Sequence, residues 1–94
     1  MPYSRLIYRV HALERMFERG ITTADVRTVV EHGKPLEDYS ADTLYPSQLI
    51  LGWITKRPVH VVAAFDAAQD AVIAITAYEP DPAQWGDQFR RRAA

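Results

Sequence analysis

Three polar side chains interrupt the most apolar stretches of the chain, and their chemical types could act together on a substrate. His60 lies within the run Val59–Phe65, and Thr76 and Tyr78 lie near the end of the last apolar run. A small domain usually fills such positions with aliphatic residues, so an imidazole, a hydroxyl and a phenol there need an explanation. Cleavage of an RNA phosphodiester bond uses such groups, because it needs a base for the 2′-hydroxyl proton, an acid for the leaving oxygen and a cation for the charge on phosphorus.

A histidine in this position has two interpretations. An imidazole, with an ordinary pKa of about 6.5, can serve as acid or base near neutral pH, and this reaction requires no metal. Alternatively, His60 is a half-buried strand residue that hydrogen-bonds to Thr76 or Tyr78 and has a structural role only. Threonine is common in strands for packing reasons, so Thr76 becomes a candidate only if it lies opposite His60.

Cationic side chains near the start of the chain could bind the phosphate. His11, Arg15 and Arg19 recur at spacings of four residues and would lie along one side of a helix. In the alternative interpretation, Glu14 and Glu18 neutralise the arginines on a solvated helix face, which is the more usual role of such a charge stripe.

Other residues could contact a nucleic acid less specifically. Trp53, Tyr39 and Tyr45 could stack on bases, although aromatic residues in strands more often pack against their neighbours. The basic run Arg90–Arg92 could contact a phosphate backbone or simply keep the terminus soluble.

Composition excludes several kinds of chemistry. The chain of 94 residues has no cysteine, and its eleven basic and twelve acidic side chains nearly cancel, so thiol catalysis and a global attraction to polyanions are both excluded. There is no H-E-x-x-H motif, no Cys/His cluster, no phosphate-binding loop and no glycine-rich dinucleotide turn, so we expect no metal and no cofactor.

No run approaches the roughly 18 to 20 apolar residues of a membrane span, and the first residues do not form an apolar leader, so we expect a cytoplasmic protein. The length predicts a single domain over residues 1–94, with a tail that is flexible from about residue 87.

Two short helices are predicted in the first third of the chain. The segment His11–Arg19 is amphipathic and is followed by Gly20, which is typical of a helix end. Thr22, with Asp25 at the capping-box position, begins a second helix that ends at Gly33. The residues expected to face the core are Leu13, Met16 and Phe17 in the first helix and Val26, Val29 and Val30 in the second.

Three apolar runs predict consecutive antiparallel strands at Gln48–Thr55, Pro58–Asp66 and Ala71–Tyr78, with an edge strand at Pro35–Tyr39. The predicted fold is therefore α+β, with two N-terminal helices packed on one face of a curled, three- to four-stranded antiparallel sheet. In the tail, Trp85 and Phe89 are four residues apart, which suggests a final helical turn docked on this sheet.

Strand alternation sorts the side chains onto two faces. His60 should lie on the face away from the helices, and a two-residue loop at Lys56-Arg57 would pair it with Trp53. A three-residue loop before the last strand would put His60 opposite Thr76, with Tyr78 two positions further along the same face, whereas a four-residue loop would break this arrangement. The residues expected on the helix-facing side are all apolar: Val59, Val61, Ala63, Phe65, Ile73 and Ile75.

Several motifs together resemble a known family. They are H-A-L-E-R-M-F-E-R-G-I at 11–21, a valine-rich helix, L-I-L-G-W at 49–53, R-P-V-H-V-V at 57–62 and T-A-Y-E-P at 76–80. The chain resembles a family of small bacterial domains of uncharacterised function, which is itself similar to a distant branch of the RelE/ParE-type toxins. The resemblance extends from His11 to about Trp85.

The resemblance implies a fold, a function and a partner. The wider toxin group includes messenger-RNA interferases, which cut RNA without a metal, often on the ribosome, and use basic side chains with a tyrosine or hydroxyl of the last strand. The family's recurrent polar positions correspond here to His11, Arg15, Arg19, His60, Thr76 and Tyr78. Genes of this family tend to lie beside a small zinc-finger antitoxin with a helix-turn-helix region, which implies a protein partner.

The leading hypothesis is a toxin-like, metal-independent endoribonuclease. In it, His60, Tyr78, Thr76 and His11 take part in catalysis, and Arg15 and Arg19 bind phosphate. Toxins of this kind are usually strongly basic, whereas this chain is slightly acidic and has no arginine or lysine in its last two predicted strands. Two alternatives therefore stay open: a non-catalytic module of the same fold that binds a protein or a nucleic acid, and a toxin with a target other than RNA, such as gyrase.

Overall fold

A computed structural model describes residues 3–39, 46–86 and 88–92 of the chain. In chain order the elements are β1 (Arg5–Tyr8), α1 (Val10–Arg19), α2 (Thr23–His32), β2 (Lys34–Asp38), β3 (Ser47–Ile54), β4 (Arg57–Asp66), β5 (Ala71–Tyr78), β6 (Trp85–Gly86) and β7 (Arg91–Arg92). The fold is α+β, as predicted, with two helices and a five-stranded mixed sheet in the order β1-β5-β4-β3-β2. No helix within the described ranges is long and apolar enough to cross a membrane.

The helix boundaries follow local capping signals. The Thr22 hydroxyl accepts a hydrogen bond from the backbone of Asp25, and the Asp25 carboxylate accepts one from the backbone of Thr22, so the predicted capping box is present. Gly20 ends α1 with a φ of 67°, a left-handed conformation that glycine adopts at little cost. Both predicted helices are confirmed within one residue of their expected ends.

The predicted buried stripe of α1 was wrong for two of its three members. Ala12 and Met16 are buried against β5, but Leu13 and Phe17 are 42% and 89% exposed. This short helix packs mainly on β5, so a narrow line of contact suffices and the flanking apolar side chains remain at the surface.

The predicted strand count and strand directions were also wrong in part. The antiparallel succession of β2, β3, β4 and β5 is present, but β1 adds a fifth strand that pairs in parallel with β5. Its four residues run from Arg5 to Tyr8, opposite Ala71 to Ala74. So short a strand, paired with a partner far along the chain, leaves little periodic signal in the sequence.

The turn between β3 and β4 shifts the predicted pairing by two residues. Its two central residues are Thr55 and Lys56 rather than Lys56 and Arg57, so His60 pairs with Leu51 and Trp53 pairs with Pro58. Because side chains alternate with a period of two, this shift leaves Trp53 and His60 on the same face.

A register irregularity between β4 and β5 compensates for a loop that is one residue longer than predicted. Asp66 pairs with Ala71, so the loop has four residues rather than the three predicted. Near the turn, each side chain of β5 therefore lies on the face opposite to the predicted one. A register shift between Val62 and Ala63 then leaves Ile75 as an extra residue in β5, which restores the parity beyond it. Thr76 consequently pairs with Val62, and Tyr78 pairs with His60.

The core lies between the two helices and one face of the sheet. Ile73 pairs with Ala64 on the opposite face, so the expected helix-facing position of Ile73 was wrong, as was that of the extra residue Ile75. β5 instead contributes Val72 and Ala74 to the core before the irregularity and Ala77 after it. The buried apolar cluster comprises Met16, Ile21, Val26, Val29, Val30, Ile50, Val59, Val61, Ala63, Val72, Ala74 and Ala77.

The predicted final helical turn does not form. Trp85 and Gly86 instead pair with Arg92 and Arg91 in an antiparallel ribbon, β6–β7. Gln88 and Phe89 have φ values of 58° and 68°, which are incompatible with a right-handed helix. We call residues 85, 86 and 88–92 the C-terminal segment.

Candidate functional site

His60, Thr76 and Tyr78 lie on the same face of the sheet, as expected, although through a different register. His60 is directly opposite Tyr78, and Thr76 is opposite Val62, two positions along β4. The irregularity in β5 is what brings Thr76 and Tyr78 to this side. The face is the one turned away from the two helices.

The imidazole of His60 has a hydrogen-bonding partner at each nitrogen. Its Nδ1 lies 3.4 Å from the hydroxyl oxygen of Tyr78, and its Nε2 lies 3.0 Å from the backbone carbonyl oxygen of Phe89. A carbonyl oxygen can only accept, so Nε2 carries a proton and donates. In the neutral ring, Nδ1 then accepts from the Tyr78 hydroxyl, which fixes both the tautomer and the direction of the longer bond.

The C-terminal segment covers this face of the sheet. The Trp85 ring meets the His60 ring nearly perpendicularly, at a centroid distance of 4.4 Å, and the Tyr78 ring makes a similar contact at 5.4 Å. Trp85 itself is buried, and His60 is 0% exposed. Sequence reasoning placed Trp85 and Phe89 on the sheet but missed that they enclose His60.

The cationic residues of α1 lie in two different environments. His11 and Arg15 are at the surface, where they pair with Glu14 at 3.6 Å and with Glu18 at 3.5 Å. Arg19 instead donates from Nη1 to the carbonyl oxygen of Ala77, at 2.8 Å, next to Tyr78 along β5. Of the three, Arg19 is therefore anchored on the strand that carries Thr76 and Tyr78.

Arg57 holds the end of α1 against the sheet. It donates to the carbonyl oxygens of Arg19 and Gly20, at 2.6 and 2.9 Å, and its Nε lies 2.8 Å from a carboxylate oxygen of Glu79. Cations favour the carboxyl end of a helix, where backbone carbonyls lack helical partners. The strand pattern predicted Arg57 to lie in a turn, and its proximity in sequence to His60 is the signal that could have singled it out.

A cleft of about 400 Å³ opens on the other side of the C-terminal segment. It lies between the end of α2, the start of β2 and the last residues of β3, and its polar lining includes His32, Lys34, Gln88 and Arg90. Trp53 forms part of the wall, is 45% exposed and makes an edge contact with the Phe89 ring at 6.0 Å.

The other two aromatic candidates for base stacking are placed differently. Tyr39 is partly buried and donates a hydrogen bond to Glu37. Tyr45 lies outside the described residues. Among the described residues there is no group of three or more histidine and acidic side chains that could hold a metal ion.

A family model described as a domain of unknown function, DUF4258, matches residues 8–79. The chain belongs to the DUF4258 family. The matched region contains His11, Arg15, Arg19, His60, Thr76 and Tyr78. It ends before Trp85, so the residues that enclose His60 lie beyond it. No curated protein and no solved structure matches the chain.

Proposed function

We propose that this DUF4258 member is a toxin-like endoribonuclease of the RelE/ParE type, which cleaves RNA without a metal. The observation that carries the proposal is the pairing of His60 with Tyr78 on one face of the sheet, with Nδ1 3.4 Å from the phenol oxygen. The two helices and the antiparallel succession from β2 to β5, which the sequence pattern predicted, also support it.

The two side chains supply the two proton transfers that the reaction needs. His60 Nδ1, the acceptor of the neutral ring, takes the 2′-hydroxyl proton, and the 2′-oxygen attacks phosphorus. The bond from phosphorus to the 5′-oxygen breaks, and the Tyr78 hydroxyl protonates the leaving oxygen, which yields a 2′,3′-cyclic phosphate and a 5′-hydroxyl. Thr76, on the same face, supports the pair by hydrogen bonding. Arg19, which is anchored on the backbone of β5 next to Tyr78, neutralises the charge on the phosphate, whereas His11 and Arg15 pair with Glu14 and Glu18 on α1, across the sheet from His60.

Access to His60 requires the C-terminal segment to move aside. Gln88 and Phe89 have left-handed backbone conformations, which cost non-glycine residues roughly 1 kcal/mol or more each. The covered arrangement therefore contains strain that is released on opening. The C-terminal segment also lies outside the region that the family model matches. This is expected if members of the family share the site but not the segment that covers it.

A non-catalytic role is the second candidate, and the burial of His60 favours it. A ring that is 0% exposed, hydrogen-bonded at both nitrogens and packed on Trp85 is well suited to hold the C-terminal segment in place. In this role the chain binds a nucleic acid or a partner protein without chemical change. The partner in either role is a small antitoxin of the zinc-finger or helix-turn-helix type.

The deciding experiment measures RNA cleavage in excess chelator, on single-stranded RNA alone and on messages engaged by translating ribosomes. We expect products that end in a 2′,3′-cyclic phosphate or a 3′-phosphate. Tyr78→Phe and His60→Gln should each lower the rate by roughly 100- to 10,000-fold. Tyr3→Phe is the matched control, because the Tyr3 hydroxyl donates a hydrogen bond to Glu31 of α2 instead.

Two further results bear on the proposal. Trp85→Ala should increase cleavage if the C-terminal segment is a removable cover. Induction in cells should arrest growth, and the product of the neighbouring gene should relieve the arrest. If the purified chain leaves every RNA intact, with and without ribosomes and also as the Trp85→Ala variant, the catalytic role is excluded and the binding role remains.

A further inference from the structure

We infer that the cleft beside Trp53 is a binding subsite for one nucleotide of a single-stranded RNA. In this arrangement the base stacks on Trp53, and the phosphate is bound by Lys34. The inference takes its ligand class from the proposed function, but it does not depend on cleavage.

The position of Trp53 supports base stacking. The two tryptophans of the chain differ sharply, because Trp85 is 5% exposed and Trp53 is 45% exposed. The pairing of β2 with β3 starts at Lys34 and Leu51, so Trp53 lies beyond the paired part of that edge. An indole that forms the wall of a cleft at such an edge presents a flat aromatic surface, on which any of the four bases can stack.

The charge of the cleft fits a phosphate. The whole chain has a net charge of −1, yet Lys34 lines this cleft and the described lining includes no carboxylate. The imidazole of His32 adds a hydrogen-bonding group to the same lining. A volume of about 400 Å³ is also within the usual range for small-ligand sites.

Phe89 connects this cleft to the proposed catalytic pair. Its ring contacts Trp53, and its carbonyl oxygen accepts the hydrogen bond from His60. The neighbouring residues Gln88 and Arg90 line the cleft. A nucleotide seated against Trp53 therefore touches the same short segment that covers His60, so the subsite lies next to the catalytic pair.

The test is a binding titration with short oligouridylates and oligoadenylates that carry 2′-O-methyl sugars, so that cleavage cannot occur. Stacking should quench the fluorescence of Trp53, and the salt dependence of the dissociation constant should report phosphate contacts. Trp53→Leu should weaken binding by about 5- to 150-fold, and Trp53→Phe should retain most of the affinity. Lys34→Gln should weaken binding and reduce the salt slope by about 0.7.

The chain supplies a matched control, because it has only one other lysine, Lys56, which lies in the turn between β3 and β4. Lys56→Gln should leave both the affinity and the salt slope unchanged. Thermal melting of each variant checks that it is folded.

The possible outcomes separate this inference from the proposed function. If Trp53→Leu and Lys34→Gln bind like the unmodified chain, or if no oligonucleotide binds, the subsite is refuted. If those variants cleave RNA at the normal rate and also bind the oligonucleotides like the unmodified chain, the subsite is refuted while the proposed function stands. Binding that depends on Trp53 and Lys34, in a chain that never cleaves RNA, supports the subsite and refutes the catalytic role.

Discussion

The backbone carbonyl oxygen of Phe89 lies 3.0 Å from Nε2 of His60. This one contact joins the middle of β4 to the C-terminal segment and requires the Nε2 proton. It leaves Nδ1 directed at the Tyr78 hydroxyl. The residue that covers His60 is therefore also the residue that selects its tautomer, so loss of the cover would expose the imidazole and leave the contact between Nδ1 and the Tyr78 hydroxyl to hold the proton position.

His60→Ala should lower the free energy of unfolding by roughly 2 to 4 kcal/mol, because it leaves a cavity and an unpaired carbonyl oxygen beneath the C-terminal segment. His11→Ala is the matched control, because the His11 side chain is 94% exposed, and its effect should be within about 0.5 kcal/mol. Urea denaturation of the three proteins measures the difference. Equal stability of the two variants would show that His60 is not enclosed in solution.

The helices could be predicted because the signals that end them are local. Thr22 and Asp25 form a capping box within one turn, and Gly20 supplies the left-handed end of α1. These contacts depend on a few adjacent residues, so sequence spacing alone identifies them.

The pairing of the site residues could not be predicted, because it depends on two features that the pattern does not reveal. The four-residue loop after Asp66 reverses the parity, and the extra residue Ile75 restores it. Each feature would separate His60 from Thr76 and Tyr78 if it occurred alone. The prediction that these residues share a face was therefore correct, but the three-residue loop on which it was based is not what the structure has.

The cover over His60 escaped prediction for a different reason. Trp85 and Phe89 have the spacing of one helical turn, and nothing in the residue types of Gln88 and Phe89 indicates left-handed backbone conformations. Tertiary contacts with His60 and Trp53 decide this conformation. Such contacts between distant residues are not visible in a local pattern.

Gly33→Ala should destabilise the protein by roughly 1 to 3 kcal/mol and distort the cleft beside Trp53. A Cβ atom at Gly33 would lie 2.6 Å from the carbonyl oxygen of Leu51, so α2 and β3 would have to separate. Gly86→Ala is the control, because a Cβ atom there would meet nothing within 4 Å. Thermal melting compares the two, and equal melting temperatures would contradict the close approach of α2 and β3.

Tyr8→Phe should flatten the loss of stability in alkaline solution. Burial raises the pKa of Tyr8 above its ordinary value of about 10, and its hydroxyl donates to the carbonyl oxygen of Thr23. The folded state thus holds this proton more tightly than the unfolded state, so the stabilisation is complete below about pH 10 and is lost as the pH rises through the folded-state pKa. Unfolding free energies measured between about pH 8 and 11 should fall less in the variant, and parallel curves would contradict the shift.

Arg57→Gln should lower the free energy of unfolding by about 1 to 3 kcal/mol, because it removes three charge-assisted contacts at once. These contacts join the end of α1, through the carbonyl oxygens of Arg19 and Gly20, to the Glu79 carboxylate beyond β5. Arg57→Lys should recover only part of the loss, since an ammonium cannot reproduce the planar geometry of the guanidinium.

Arg27→Gln is the matched control: its pair with Glu31, at 3.9 Å on an exposed helix face, should contribute at most about 0.5 kcal/mol. Urea titrations in low and high salt separate the two cases, because the exposed pair should weaken with salt more than the anchored one. If Arg57→Gln proves no more destabilising than Arg27→Gln, Arg57 does not anchor α1 to the sheet.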